Sequence, residues 1–297
     1  MFGFINLDKP TAWTSHDCVA RVRRLLKTKR VGHGGTLDPL ATGVLPIAVG
    51  AATRLLQFLP TPKAYRATIR LGIKTTTDDL AGEVLQVRSA AAVTRERLIE
   101  ALKMFRGTLQ QVPPIYSAIQ VDGQRLYKLA RKGESVLPEP RTVEVYKIEV
   151  LDWQVLDSAH PEVTLQIACG PGTYIRSIAR DLGEVLQTGG TLARLVRTQS
   201  CGFDLADSLS LETLEEQVTQ GSLLLADPAA ALKDVPHYAL DGQFATRWCQ
   251  GRSVEVDSDA MGEAWVRVHD ASAHFLGMGL LSEGFLVPKV VLNATTV

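Results

Sequence analysis

The residues best placed to do chemistry lie in one run, Gly32-His33-Gly34-Gly35-Thr36-Leu37-Asp38-Pro39-Leu40-Ala41-Thr42-Gly43-Val44-Leu45-Pro46. A single carboxylate, Asp38, sits among four glycines and two prolines. The run is too irregular for a helix or a paired strand, so it reads as a shaped loop that displays Asp38. Glycine supplies backbone angles or close approach that other residues cannot, and Pro39 pushes Asp38 toward extended backbone. Alone, such a segment is turn punctuation. Its length, and the basic segment that runs directly into it, point further. A lone displayed aspartate suits covalent or electrostatic chemistry at an electrophilic carbon, as a nucleophile or as a stabiliser of a developing oxocarbenium ion. Either role requires the ionised form, which a partner cation favours while fixing its geometry. Arg176, at the start of a helix just after the Gly170-Pro171-Gly172 turn, is the candidate partner.

Spacing argues against several other chemistries. The Gly32 run lacks the full Gly-x-Gly-x-x-Gly pattern, no P-loop Gly-Lys-Ser/Thr follows, and no Gly-x-Ser-x-Gly elbow is present. No second carboxylate stands close to Asp38 for metal-assisted phosphoryl transfer or for the acid role of a glycosidase. The histidines never pair at helical metal-ligand spacing, and Cys18, Cys169, Cys201 and Cys249 form no Cys-x-x-Cys pair. A metal site built from these residues is not expected. No charged region followed by an apolar core opens the chain, and Met1 to Leu7 is too short to span a bilayer, so a cytoplasmic protein without a membrane partner or a disulfide framework is expected.

The elements that must position these residues can be read in outline. Thr14-Ser15 caps a helix with Val19, Val22, Leu25 and Leu26 on one face and Arg21, Arg23, Arg24 and Lys27 on the other, followed by Lys29 and Arg30; Gly32 is expected to stop it. Basic and acidic side chains balance at 32 each, so any nucleic-acid surface must be local, and this stripe is one candidate. Tyr65 to Leu71 alternates like a strand, Thr75 to Asp79 reads as a polar loop, and Thr94 caps a helix closed by Gly107. Ser117 to Val121 and the basic stretch Arg125 to Lys132 flank the turn pair Asp122-Gly123, giving a protruding hairpin and short helix. Strands near 143–155 and 163–168, a helix after Gly172, a strand at 192–198 and a helix near Ser210 follow. Turns too short for crossovers join several strands, which predicts an α+β fold with a mixed, largely antiparallel sheet. From Asp234 only short strands are expected, forming a small β-barrel. The expected domains are 1–233, with an insertion near 108–140, and 234–297.

The segment from Gly32 to Pro46 closely resembles the signature of the bacterial tRNA pseudouridine synthase B (TruB) family. Lys9-Pro10 with Thr14-Ser15, Tyr65-Arg66 with Arg70-Leu71-Gly72, Gly172-Thr173-Tyr174-Ile175-Arg176 and Leu195 through Phe203 stand in that family's order. Phe275-Leu276-Gly277-Met278-Gly279 with Val287-Pro288-Lys289 resembles its small RNA-binding C-terminal domain. The resemblance implies a catalytic domain of pseudouridine-synthase type over 1–233, RNA-gripping near 108–140, and a PUA-like RNA-binding domain over 234–297.

It also implies a substrate, uridine-55 in the T loop of tRNA, and a reaction that breaks the bond from C1′ to N1, turns the base and joins C1′ to C5. Atoms are conserved, so no cofactor is implied. Asp38 stands as the essential aspartate; attack on C1′, addition to uracil and removal of a ribose proton all remain open. The base has to be flipped from its stack at a cost of about a few kcal/mol. Tyr65 resembles the tyrosine that stacks on flipped uracil and is a candidate for moving a proton, and Arg176 would pair with Asp38. His33 resembles the histidine against the displaced loop nucleotides, Tyr174 and Leu195 would wall the uracil pocket, and Lys9 is placed near the site. The basic stripe and the hairpin would meet T-arm phosphates, with a monomer as the working form. Three positions depart from the family pattern: Ala12 for glycine, Thr76 for aspartate, with Asp79 keeping the later acidic position, and Val196 for a second arginine. The alternatives are a guide-directed RNA pseudouridine synthase and a tRNA-folding chaperone without chemistry.

Overall fold

The computed structural model describes residues 1–117, 119–121, 123–132, 136–155, 159–256 and 263–292. β1 (Gly3–Lys9) leads to α1 (Ser15–Leu25), and β2 (Val31–His33) precedes β3 (Thr42–Val49). α1 starts at a reciprocal capping box, with Thr14 Oγ1 accepting from the Asp17 N–H and the Asp17 carboxylate accepting from the Thr14 N–H. The Thr14 hydroxyl, donating to Asp17 Oδ2 at 2.6 Å, and then the Thr14 N–H hold the Asp17 carboxyl below the usual carboxylate range. The helix is closed by Lys27, at φ 49°, and not by Gly32, which lies inside β2. The glycine-rich run is likewise more regular than its composition suggests. β2 and β3 pair antiparallel from Val31↔Val49 to His33↔Ile47. Pro46 is tolerated in β3 because it is needed there as an acceptor, its carbonyl taking the Gly34 N–H at 2.8 Å. Only 34–41 is loop.

β4 (Lys63–Leu71), β5 (Ile73–Thr75), β6 (Val84–Val87), α2 (Arg95–Leu102) and β7 (Gly107–Gln111) follow. β8 (Gln120–Val121), β9 (Gln124–Arg125) and α3 (Leu126–Arg131) form the anticipated hairpin and short helix, although Asp122 of its turn lies outside the described residues. Then come β10 (Arg141–Gln154), β11 (Glu162–Cys169), α4 (Ile175–Val185), β12 (Gly190–Ser200), β13 (Phe203–Asp204), α5 (Leu211–Gln220) and α6 (Pro228–Ala231). The last segment holds β14 (His237–Leu240), α7 (Gly242–Cys249), β15 (Val254–Glu255), β16 (Ala264–Asp270), β17 (Phe275–Ser282) and β18 (Phe285–Val291). α7 corrects the expectation of strands alone: Asp241 caps it, and Ala245, Trp248 and Cys249 give it a buried face.

The chain forms two compact units. In the first (Met1–Leu37, Val44–Pro60, Ser200–Val297), β3 pairs with β1 and β2, and α1 and α5 close a core around Leu7, Val22, Ile47 and Leu214. The same unit holds a five-stranded sheet of order β14-β16-β17-β18-β15, parallel only between β14 and β16, with Trp248 of α7 in its core. The second unit (Asp38–Gly43, Thr61–Gln199) holds the order β12-β4-β11-β10-β7. β4, β11, β10 and β7 pair antiparallel, whereas the first residues of β3 run parallel to β12, Thr42 against Val196 and Gly43 against Arg197. α4 packs on β4, and α2 packs on α4 and β10. The architecture is therefore α+β with mixed, largely antiparallel sheets. Among the described residues no helix is long and apolar enough to cross a membrane.

Candidate active site

Asp38 is held from its C-terminal side. Its carbonyl accepts from the Ala41 N–H at 3.0 Å, making a turn, and the chain then enters the parallel pairing with β12. Gly43, at φ 99°, lies so close to β12 that a Cβ there would run into the backbone of Arg197. The Asp38 side chain is 40% exposed, so the loop presents it to an incoming group.

Arg176 comes to it from the second residue of α4, and its side chain is 6% exposed. Its Nε lies 3.0 Å from Asp38 Oδ2, yet the Nε–H makes no hydrogen bond, so the contact is coulombic rather than directional. The rest of the guanidinium is fixed by backbone: Nη1 donates to the Thr77 carbonyl at 3.1 Å and Nη2 to the Tyr116 carbonyl at 3.0 Å. Asp79, buried, adds a second carboxylate 3.7 Å from Nη1. Two carboxylates facing one cation is the arrangement that keeps a buried arginine compensated while leaving the exposed acid accessible. The first turn of α4 is itself clamped. Tyr174, its N-cap, makes no side-chain cap; instead the buried Gln111 amide donates to the Tyr174 carbonyl (3.1 Å) and accepts from its N–H (2.8 Å).

Tyr65, on β4, is 7% exposed, and its hydroxyl oxygen accepts from the fully buried Arg197 guanidinium. Burial pushes its phenol up to about 12, and Asp38 lies near enough to contribute to that rise. Tyr174 is raised too, by burial first, with the nearby Ser117 side chain opposing the rise and Asp38 among its electrostatic neighbours. The structure thus gathers Asp38, Tyr65, Tyr174 and Arg176 in the second unit. Leu195, buried on β12, shares a strand face with Arg197 two residues on. His33 and Lys9 belong to the first unit. His33 packs edge-on against His16 at 5.5 Å, and Lys9 is fully buried with Nζ donating to the carbonyls of Pro10 (2.9 Å) and Trp13 (2.6 Å). Among the described residues no three His, Cys, Asp or Glu side chains converge on a possible metal position.

Sequence reasoning does not reach Gln111 or Arg197, and it reaches Asp79 only as an acidic position. Arg197 had a legible signal, a charged residue on the buried face of an apolar strand; Gln111 had none.

The cationic stripe is partly committed to the fold. Arg21 pairs with Glu215 at 2.6 Å and Arg23 donates to the Val31 carbonyl at 2.9 Å, while Arg24, Lys27, Lys29 and Arg30 are exposed. In the hairpin segment Arg125 and Lys132 are exposed.

Comparisons with known proteins place the chain among relatives. The TruB family pseudouridylate synthase N-terminal domain matches residues 23–175, the tRNA pseudouridylate synthase B C-terminal domain matches 176–229, and the pseudouridine synthase II TruB C-terminal domain matches 236–292. A tRNA pseudouridine synthase B of Trichormus variabilis is 55% identical over 294 residues, covering 99% of each chain. Its counterpart in Acaryochloris marina is 56% identical over 294 residues, covering 99% of this chain and 100% of its own. A solved H/ACA RNP bound to a substrate RNA containing 2′-deoxyuridine matches with a TM-score of 0.74 at 24% identity, over 99% of this chain and 86% of that one. A Cbf5-Nop10-Gar1 complex matches with a TM-score of 0.73 at 25% identity, over 99% and 86%. The C-terminal strands form a curled, PUA-like half-barrel.

Proposed function

The chain belongs to the TruB family of pseudouridylate synthases, isomerases that form pseudouridine in tRNA, and on that premise we propose that its target is uridine-55 of the T loop, with Asp38 as the essential carboxylate. Sequence identity above 50% to proteins named tRNA pseudouridine synthase B, against about a quarter to Cbf5, favours the stand-alone enzyme over a guide-directed one. The observation that carries the reading is the ion pair between Asp38 and Arg176: an exposed acid on a pinned loop, beside a buried cation that is held by backbone carbonyls.

Chemistry follows from that asymmetry. The guanidinium faces Asp38 at Oδ2, and a carboxylate has lone pairs to spare beyond that ion pair, so Asp38 can still act on the ribose or the base. Tyr65, kept as a neutral phenol by burial, offers an aromatic face to flipped uracil and a hydroxyl held by Arg197. Tyr174 and Leu195 wall the pocket, His33 replaces stacking for displaced loop nucleotides, and Lys9 shapes the nearby chain through its two carbonyl contacts. The exposed cations of the stripe, the 108–140 insertion and the 234–297 module grip the T-arm backbone. The protein works as a monomer in the cytoplasm, on tRNA.

The test is conversion of an unmodified tRNA transcript, read by carbodiimide labelling and primer extension. One stop at uridine-55, lost in a transcript with cytidine there, is the expected result. No stop across several tRNAs, or a stop elsewhere, would defeat the assignment.

A further inference from the structure

Two consecutive carboxylates on the loop after β5 meet two arginines one helical turn apart on α4. Asp79 faces Arg176, and Asp78 Oδ2 lies 3.1 Å from Arg180 Nη1. We propose that Asp78 and Arg180 are positioning residues for the isomerisation, the outer rung of a ladder whose inner rung is Asp79 and Arg176. The proposal rests on the reading of Asp38 and Arg176 given above.

Residues four apart on a helix stack on one face, about 6 Å apart along the axis. A loop that presents adjacent acids to both is fixed in height and rotation against the helix. Asp78 achieves this at φ 61°, an uncommon conformation for a residue other than glycine. The inner rung is the longer contact, 3.7 Å, beyond hydrogen-bond reach. Asp79 is otherwise tied locally, accepting from Thr77 Oγ1 (2.6 Å) and the Ala81 N–H (3.1 Å). The outer rung ties more: Arg180 donates to Asp78, to Asp181 from Nε (2.8 Å) and to the Val112 carbonyl from Nη2 (2.8 Å). Val112 leads into the segment whose Tyr116 carbonyl supports Arg176. Arg180 therefore fixes both the loop that carries Thr77 and Asp79 and the segment that carries Tyr116. Burial raises the Asp78 carboxyl, with Arg180 as the foremost opposing influence. Without that cation a largely buried acid has to turn outward, and its neighbour Asp79 moves with it.

Single-turnover conversion of a tRNA transcript and equilibrium binding of the same transcript are measured for wild type, D78N, R180Q, R180K and the double variant D78N/R180Q. D78N and R180Q should each slow turnover about 10- to 100-fold while the RNA Kd stays within about twofold. R180K, which keeps the charge but loses the fork, should fall between them and wild type. The double variant, in which neither Asp78 nor Arg180 is left facing a missing partner, should recover part of the rate and no more than part, because the Val112 carbonyl and Asp181 still lose Arg180. Rates within about twofold of wild type in both single variants, or a rate that falls only in step with RNA binding and is not repaired in the double, overturns the proposal. Melting curves identify any variant that fails to fold, in which case R180K and the double carry the comparison. An inactive wild type defeats the parent reading, which separates that failure from this one.

Discussion

Arg176 is supported by two carbonyls and two carboxylates, and this decides what its replacement should do. R176K keeps a charge but cannot span Thr77, Tyr116 and Asp38 together, so a rate loss of roughly 100-fold with intact folding is expected in single-turnover assays. R176M should also destabilise, by about 3–5 kcal/mol in thermal or urea melts, because buried Asp79 loses its facing cation and the Thr77 and Tyr116 carbonyls lose their donor. Tyr65 sets a pH dependence. Its phenol moves from 10.0 to about 12 and the Cys169 thiol from 9.0 to about 11, in both cases chiefly because burial disfavours the anion. Raised values in the folded state mean that this stabilisation is complete below about pH 9 and is lost as pH climbs through 9 to 12, roughly 2–3 kcal/mol for each group. The melting temperature should therefore fall above pH 9, and Y65F should fall less steeply above pH 10. A flat profile to pH 11 would refute the burial argument. At this scale the pairing of Asp38 with Arg176 was legible, because a lone acid on a glycine- and proline-rich loop needs a cation to stay ionised. Gln111 was not, because its work is a clamp on the backbone of Tyr174, distant in sequence.

Secondary-structure elements were legible where periodicity and caps agreed. The Thr14 helix is an example: its capping box satisfies orphan N–H groups as its sequence promises, and T14A should cost about 1 kcal/mol in a melt. Its end was misread because Lys27 adopts the left-handed turn usually given to glycine. Ala12 does the same at φ 64°, at a position where the family pattern has glycine, so the pattern records a backbone angle that alanine here tolerates. α7 escaped notice because a helix of eight residues needs only one cap and a few buried side chains. The basic helix also shows that a stripe is not uniform. R24Q, K29Q and R30Q should each weaken tRNA binding and reduce its salt slope by about one, raising KM more than lowering kcat, whereas R21Q should leave the slope near wild type because Arg21 is spent on Glu215. Equal slopes for all four would contradict the division of the stripe.

At the scale of the molecule, zero net charge gave no hint of a polyanionic partner. Fold class was legible from short connections between strands, but the packing of residues 38–43 with Thr61–Gln199 was not, since it joins positions more than a hundred residues apart by pairing with β12. That pairing is what makes Asp38 a fixed acid rather than a mobile one, and the whole account turns on it. The direct check is a paired assay of D38N against wild type on one unmodified T-arm hairpin, with filter binding and single-turnover conversion taken from the same samples. Binding should agree within about twofold while conversion drops roughly a thousandfold or more. Conversion by D38N at near wild-type rate would mean that another group does the chemistry, and that the carboxylate beside Arg176 serves only the fold.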